Sequence, residues 1–150
     1  MAARIEAARE VTPALLAAVQ ALLPTLTTDA PAVDEAALAR ILATPGLTLL
    51  VARTDDDQIL GMATLLCFEI PSGRRARLED VVVSPAGQGQ GIGAALTHEA
   101  IRLARAYGPV YLDLTSSPWR EAANRLYERL GFERRETKVY RYVLDQRPPE

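Results

Sequence analysis

Residues 77–107 constrain this chain more than any other stretch. RLEDVVV at 77–83 is rich in β-formers and closes on Ser84-Pro85, and AGQGQGIG follows at 86–93. Ile92, Ala95, Leu96, Ala100, Leu103, Ala104 and Tyr107 then recur at helical spacing until Gly108-Pro109. The pattern is strand, glycine-rich turn, helix. Backbone N–H groups at a helix start have no intrahelical acceptor, and the helix dipole adds partial positive charge there. A phosphate or pyrophosphate supplies the missing acceptors. Glycine at 89, 91 and 93 removes β-carbons that would hold such oxygens away and permits the backbone angles of an anion nest. With a net charge of −2 and a pI near 5.5, the chain has no global attraction for nucleic acid or an anionic membrane. Any polyanion site must be local.

Several readings fit such a turn. A Walker P-loop fails because no Gly-Lys-Ser/Thr follows the glycines. Gly89, Gly91 and Ala94 do match the G-x-G-x-x-A dinucleotide fingerprint, and Asp113 lies about 20 residues on, where a ribose-binding acid is expected. Against it, a proline-containing turn separates strand from glycines, and too little chain follows to finish a doubly wound sheet. A glycine-rich turn without any ligand is the third reading.

The remaining elements fit one domain over residues 1–150. Thr12-Pro13 opens a helix ending near Pro24, and a second helix spans 34–43 before Pro45-Gly46. Strands at 47–53 and 58–68 flank the Asp55-Asp56-Asp57 turn as a hairpin. After a polar loop, PSGRRAR, come the strand and helix already described and a short strand at 110–114. Ser117-Pro118 starts a last helix whose apolar face is Trp119, Ala122, Ala123, Leu126, Tyr127 and Leu130, and Gly131 ends it. TKVYRYVL at 137–144 alternates as a final strand, and residues 146–150 form a frayed tail. The expected order is ααβββαβαβ: an α/β (α+β) domain with a mixed, mostly antiparallel sheet flanked by helices. The apolar stretch 14–26 is cut by Pro24 and is too short to cross a bilayer, so a cytoplasmic protein is expected. Cys67 is alone, which excludes an intrachain disulfide, and lies in the apolar run TLLCF as an inert thiol. His98 is also alone and reads as a surface residue. No metal site is expected, and the aspartate triplet reads as a solvated turn.

Two motifs together resemble the GNAT superfamily of N-acetyltransferases. QGQGIG at 88–93 is similar to its Q/R-x-x-G-x-G/A coenzyme A signature and follows the strand LEDVVVSP; EAANRLYERLGF at 121–132 resembles its second signature. The likeness extends from residue 47 to 144, while the first two helices agree only in type. It implies the GNAT fold and acetyl-CoA as co-substrate. The backbone of Val81, Val82 and Val83 would run beside the pantetheine arm, in a slot opened by a bulge, with one freed N–H of Val81 or its neighbour facing the thioester carbonyl. Gln88, Gly89, Gln90, Gly91, Ile92, Gly93 and Ala94 would hold the pyrophosphate. Asn124 would bond the pantetheine or adenosine side, and Tyr127 would lie near the sulfur.

Acetyl transfer to a primary amine needs a neutral nucleophile, a stabilised oxyanion and a protonated leaving thiolate. A lysine-like amine has a pKa of about 10.4, so its neutral fraction at pH 7 is below about 0.1%. A carboxylate can take the proton. Glu79 is the candidate base because it just precedes the oxyanion donor, with Asp80 second; either could instead be a structural acid paired with Arg74, Arg75 or Arg77. Strict alternation puts Glu79 on one face with Val81 and Val83, and Asp80 on the other. Tyr127 is the candidate acid, although periodicity alone would make it core. The arginine loop could attract an acidic group or the coenzyme's 3′-phosphate, or simply be a solvated tip; Trp119 could line an acceptor pocket, though its helical position favours packing. The expected activity is direct acetyl transfer from acetyl-CoA to a primary amine in a ternary complex. The amine could be a small molecule, a peptide or a protein, with no nucleic acid or membrane partner. A homodimer through the C-terminal strand or the helices is compatible with the sequence. The alternative is a catalytically silent acetyl-CoA- or CoA-binding regulatory module.

Overall fold

The computed structural model describes residues 3–145. Its centre is an antiparallel meander made where β-branched and leucine-rich runs meet tight turns. β2 (Leu47–Thr54) and β3 (Ile59–Ile70) flank the aspartate turn, as the sequence indicates, and β4 (Gly73–Val83) returns after Pro71-Ser72. In the aspartate turn Thr54 Oγ1 donates to Asp56, and Asp57 takes a positive φ of 62°. β1 (Ala3–Ala8) pairs antiparallel with β2, and β5 (Leu112–Asp113) pairs parallel with β4, giving the sheet order β1-β2-β3-β4-β5.

Helices cover both faces. α1 (Pro13–Leu26) and α2 (Glu35–Leu42) are capped by side chains: Thr12 accepts from Leu15 N–H at 3.1 Å and Asp34 from Ala37 N–H at 2.8 Å. They bury Leu15, Val19, Leu22 and Leu38 against Leu49, Val51, Met62 and Val82. α3 (Ile92–Tyr107) crosses the opposite face and buries Ile92, Leu96, Ala100 and Ala104 on Leu50, Ala52, Ala63, Leu65, Ala76 and Leu78. α4 (Glu121–Arg129) follows β5. Burying one such leucine is worth roughly 1.5–3 kcal/mol. Exposed ion pairs such as Arg4–Asp55, at 3.5 Å, add at most about 1 kcal/mol. The two apolar layers therefore hold the fold. No described helix is long and apolar enough to cross a membrane.

A bulge in β4 fixes how its end is used. Thr64 pairs with Glu79 and Met62 with Val82, so the single residue Ala63 opposes both Asp80 and Val81. Asp80 adopts a left-handed φ of 52°. The extra residue reverses the parity: Leu78 and Val81 both face α3, while Val82 faces α1 and α2. Strict alternation therefore fails here, and Glu79 is not on the face of Val81 and Val83.

Other expectations need correcting. The order is βααβββαβα: residues 3–8 form a strand that the sequence hides, being half alanine, with Ile5 its one β-branched residue. Residues 137–144 form no strand, because no described residue pairs with them. Residues 146–150, expected as a frayed tail, lie outside the described residues. The arginine segment is not a loop; β4 begins at Gly73 and carries it. α4 starts only at Glu121, because residues 117–120 close a turn in which Arg120 N–H donates to Ser117 O at 3.1 Å. Trp119 lies on that turn, 80% exposed, and so does not pack as a helical core residue.

Gly46 tests the junction before β2. It has a φ of 79° and accepts from Cys67 N–H at 2.8 Å, and an added Cβ would run into the Cys67 carbonyl oxygen. Gly46→Ala is expected to cost about 2–4 kcal/mol, combining left-handed strain with overpacking. Urea unfolding checks this; a loss under about 0.5 kcal/mol would contradict the stated junction.

Candidate active site

The turn after β4 is built to leave donors open. Pro85–Gly87 makes one 3-10 turn, and Gly87 is buried where an added Cβ would sit 2.9 Å from Ile92 Cδ1. Gly89 and Gly91 then take φ values of 77° and 74°, with nothing within 4 Å of an added Cβ. These two glycines are required by conformation and they border open space. Gly91 caps α3 without a side-chain bond, and the first helical bond runs from Ala95 N–H to Gly91 O. Among the described residues, no backbone N–H from 89 to 94 donates to a protein acceptor. Gln90 braces the turn through Nε2 to Ala86 O at 2.9 Å, whereas the Gln88 side chain is exposed and makes no hydrogen bond. Gly93 serves packing: its added Cβ would lie 3.2 Å from Leu126 Cδ2, so α3 and α4 meet there.

Beside this turn β4 has an open edge. β5 pairs only with Ala76 and Arg77, so among the described residues nothing pairs with the outer edge of residues 78–83. The Val81 carbonyl points across that opening and accepts from Arg120 Nη2 at 3.4 Å. In an extended residue N–H and C=O lie on the same edge, so the Val81 N–H faces the opening too. Two buried hydroxyls without partners, Ser84 Oγ and Ser116 Oγ, follow the ends of β4 and β5. Unpaired strand-edge amides, orphaned hydroxyls and an open N–H nest suit an amide-bearing chain that ends in a pyrophosphate, which is the form of coenzyme A.

α4 and β4 carry the remaining candidate groups. Tyr127 is 8% exposed, with its ring edge-on to Phe132 at 5.6 Å, and its hydroxyl bonds no protein group. Burial raises its pKa, and the positive charge of Arg120 pulls it back in part. Asn124 Nδ2 donates to Ser117 O at 3.0 Å, which fixes the turn before α4 and leaves Oδ1 free. Of the two carboxylates, Glu79 is held by Arg77, at 3.2 Å from both Nε and Nη2. Asp80 has no cationic partner; partial desolvation and then repulsion from Glu79 raise its pKa. Arg120 went unnoticed in the sequence because it sits between a proline turn and a helix, where periodicity carries no signal.

Other candidates lie elsewhere. Arg74 donates to Tyr107 O at 2.6 Å and stacks on that ring at 5.2 Å, and Arg75 bonds Ser72. From Arg74 to Val83, β4 spans about 30 Å at 3.3 Å per residue, so these arginines are remote from the glycine turn. His98 is exposed, and Cys67 is partly buried with its thiol pKa raised by burial. Among the described residues, no group of three or more His, Cys, Asp or Glu could hold a metal ion.

The acetyltransferase (GNAT) family model matches residues 15–132. The chain belongs to the GNAT acetyltransferase family. Solved structures agree with this membership. A candidate acetyltransferase from Agrobacterium tumefaciens strain C58 is 27% identical, with 93% of this chain and 99% of that chain covered and a TM-score of 0.80. An acetyltransferase from Trypanosoma brucei is 26% identical over 94% of this chain and 99% of its own, with a TM-score of 0.76. AAC(6')-Iy, solved with the bisubstrate analogue CoA-S-monomethyl-acetylneamine, shares the fold at 21% identity, a TM-score of 0.76 and coverage of 95% and 99%. No curated protein matches the chain.

For this GNAT chain the open nest gives a clean test. Gly89→Asp keeps a residue that tolerates positive φ and sets a carboxylate in the open space. The variant is expected to unfold within about 3 °C of the parent, on the scale of 1 kcal/mol. It should also lose the stabilisation of about 2.7 kcal/mol that coenzyme A gives at 100 times its Kd. Thermal shifts with and without coenzyme A measure both; an undiminished shift would contradict anion binding at this turn.

Proposed function

We propose that this protein is an N-acetyltransferase that moves acetyl from acetyl-CoA to a primary amine by direct attack in a ternary complex. The observation that carries the proposal is the run of unpaired N–H groups at 89–94, continuous with the open edge of β4 at Val81. Acetyl-CoA supplies the activated thioester. In this reading residues 88–94 hold its pyrophosphate, the edge of Val81, Val82 and Val83 aligns its pantetheine arm, and the Val81 N–H stabilises the oxyanion. Asn124, through Oδ1, is left to bond the arm.

Tyr127 is the proposed acid. A phenol whose pKa is raised by burial stays protonated at neutral pH, and a free hydroxyl in a dry site can give that proton to the leaving thiolate. For the base we favour Asp80 over Glu79. The Glu79 carboxylate is already engaged by Arg77 at 3.2 Å, whereas Asp80 has no such partner and burial raises its affinity for protons. Two carboxylates beside the slot also favour a cationic amine as acceptor. Loss of the phenol that protonates the leaving thiolate should matter in turnover and little in binding. Tyr127→Phe is therefore expected to lower kcat by about 10²-fold or more while KM for acetyl-CoA moves within about threefold. Transfer to an amine panel, read by mass spectrometry, tests both activity and acceptor. Coenzyme binding with no turnover on any amine would instead favour a silent regulatory module.

Asp80 makes a second, opposed pair of predictions. Its folded pKa is raised, so the folded state binds the proton more tightly than the unfolded chain. Stability then falls as pH climbs from the unfolded value, about 3.9, through the folded one. Asp80→Asn removes this cost and suits the positive φ, so Tm at pH 7 should rise by about 1–3 °C, and the gain should shrink below about pH 4. The same variant should lower kcat/KM by about 10²-fold, more than Glu79→Gln does. A larger loss in Glu79→Gln would return the base to Glu79.

A further inference from the structure

Arg120 stands where the local rules of helix formation ask for something else. It is the N-cap of α4, a position where Ser, Thr, Asn or Asp would bond the first turn, and it makes no side-chain cap. Its charge also opposes the positive end of the helix dipole. Other arginines meet carboxylates: Arg53 pairs with Glu6, Arg77 with Glu79, Arg102 with Glu99 and Arg125 with Glu121. The half-buried Arg120 guanidinium makes no ion pair among the described residues, and its one bond is from Nη2 to Val81 O, at 3.4 Å. A partly desolvated cation without a counter-charge destabilises the fold. It suits a site where negative charge develops during a reaction.

Two neighbours locate that charge. Tyr127 follows seven residues later, about two turns of α4, so the two residues share a face. Helical side chains lean toward the N-terminus, which carries the phenol back toward the guanidinium. The charge acts there: burial raises the Tyr127 pKa and Arg120 lowers it. Phe132, edge-on to the ring, is neutral, as are Gly93 and Leu126 where α3 meets α4. On β4, Glu79 is bound by Arg77, and neither it nor Asp80 contributes to the Tyr127 shift. Val81 O is the other neighbour. A carbonyl has two lone pairs, so it can keep Arg120 while an amide of the pantetheine arm takes the second.

We propose that Arg120 is a positioning residue for the transfer step, acting through Tyr127: anchored on Val81 O, it faces the phenolate left when the phenol gives up its proton. The inference rests on the reading of Tyr127 as the acid. When the amine nitrogen bonds the acetyl carbon, the C–S bond breaks and its electron pair goes to sulfur. The thiolate takes the phenolic proton and coenzyme A leaves as the thiol, while the surplus proton of the amine goes to the carboxylate base. Water then returns a proton to the phenolate and takes one from the base. Without Arg120, burial would oppose the phenolate with nothing to offset it.

A double-mutant cycle tests this. With the most active amine of the panel, kcat and KM for acetyl-CoA are measured for Arg120→Met, Arg120→Gln and Arg120→Lys, each with Tyr127 and with Tyr127→Phe. Met and Gln should lower kcat by about 10-fold or more while KM moves within about threefold. Lys, which keeps the charge, should recover most of the loss. In the Tyr127→Phe background the Arg120→Met loss should shrink below about twofold. Far-UV spectra and Tm should match the parent, since α4 gains nothing from a cation at its start. NMR of tyrosine labelled at Cζ, assigned through Tyr127→Phe, reads the phenol without any acceptor, and it should titrate higher in Arg120→Met than in the parent. Additive losses on top of a slow Tyr127→Phe would overturn this inference and leave the acid in place. A Tyr127→Phe variant as fast as the parent would overturn both. An unmoved phenol titration in Arg120→Met would overturn it even if no amine is turned over.

Discussion

The bulge at Asp80 is the constraint on which the rest depends. By opposing Ala63 with two residues, β4 changes which face each side chain serves. Val82 can then complete the α1 and α2 layer while Val81 and Val83 turn to α3. The same irregularity increases the local twist beyond the point where β5 has stopped after two paired residues. An edge of backbone donors is left beside a helix start whose donors are also free. A regular β4 would keep Val82 on the α3 face, break the second core and displace this edge. The left-handed angle of Asp80 is the local cost of the arrangement.

Charge follows the same economy. The chain is acidic, and its arginines near the start of β4 are bound to Tyr107, Ser72 and Glu79. In the proposed reading, recognition of a polyanion is left to main-chain dipoles, which need no basic surface. Arg120 is the exception. It reaches the Val81 carbonyl and lies near enough to Tyr127 to oppose the effect of burial on the phenol. One cation thereby ties the strand edge to the acid candidate.

Much of this was legible in the sequence where the pattern was local. The glycine turn, the span of α3 from Ile92 to Gly108, the helix start at Thr12-Pro13 and the hairpin over residues 55–57 all follow from short-range rules. What was hidden depends on pairing at a distance. Residues 3–8 lack β-branched bulk apart from Ile5 and become a strand because β2 offers an edge, with Glu6 meeting Arg53. Residues 137–144 have the right alternation and find no edge in their own chain. Ser117-Pro118 has the chemistry of a helix start, yet the turn closed by Arg120 postpones α4. At the site, Glu79, Asp80 and Tyr127 could be named from the sequence, with an arginine partner for either carboxylate among the readings; the left-handed angle of Asp80 could not, because it arises from the bulge.

Backbone NMR during a coenzyme A titration shows whether main-chain amides grip the coenzyme. Downfield shifts of amide protons are expected to concentrate at 89–94 and Val81 and to saturate together, with Arg74 and Arg75 unmoved. Saturable binding that leaves 89–94 unshifted, or that perturbs the arginine end of β4 instead, would contradict it.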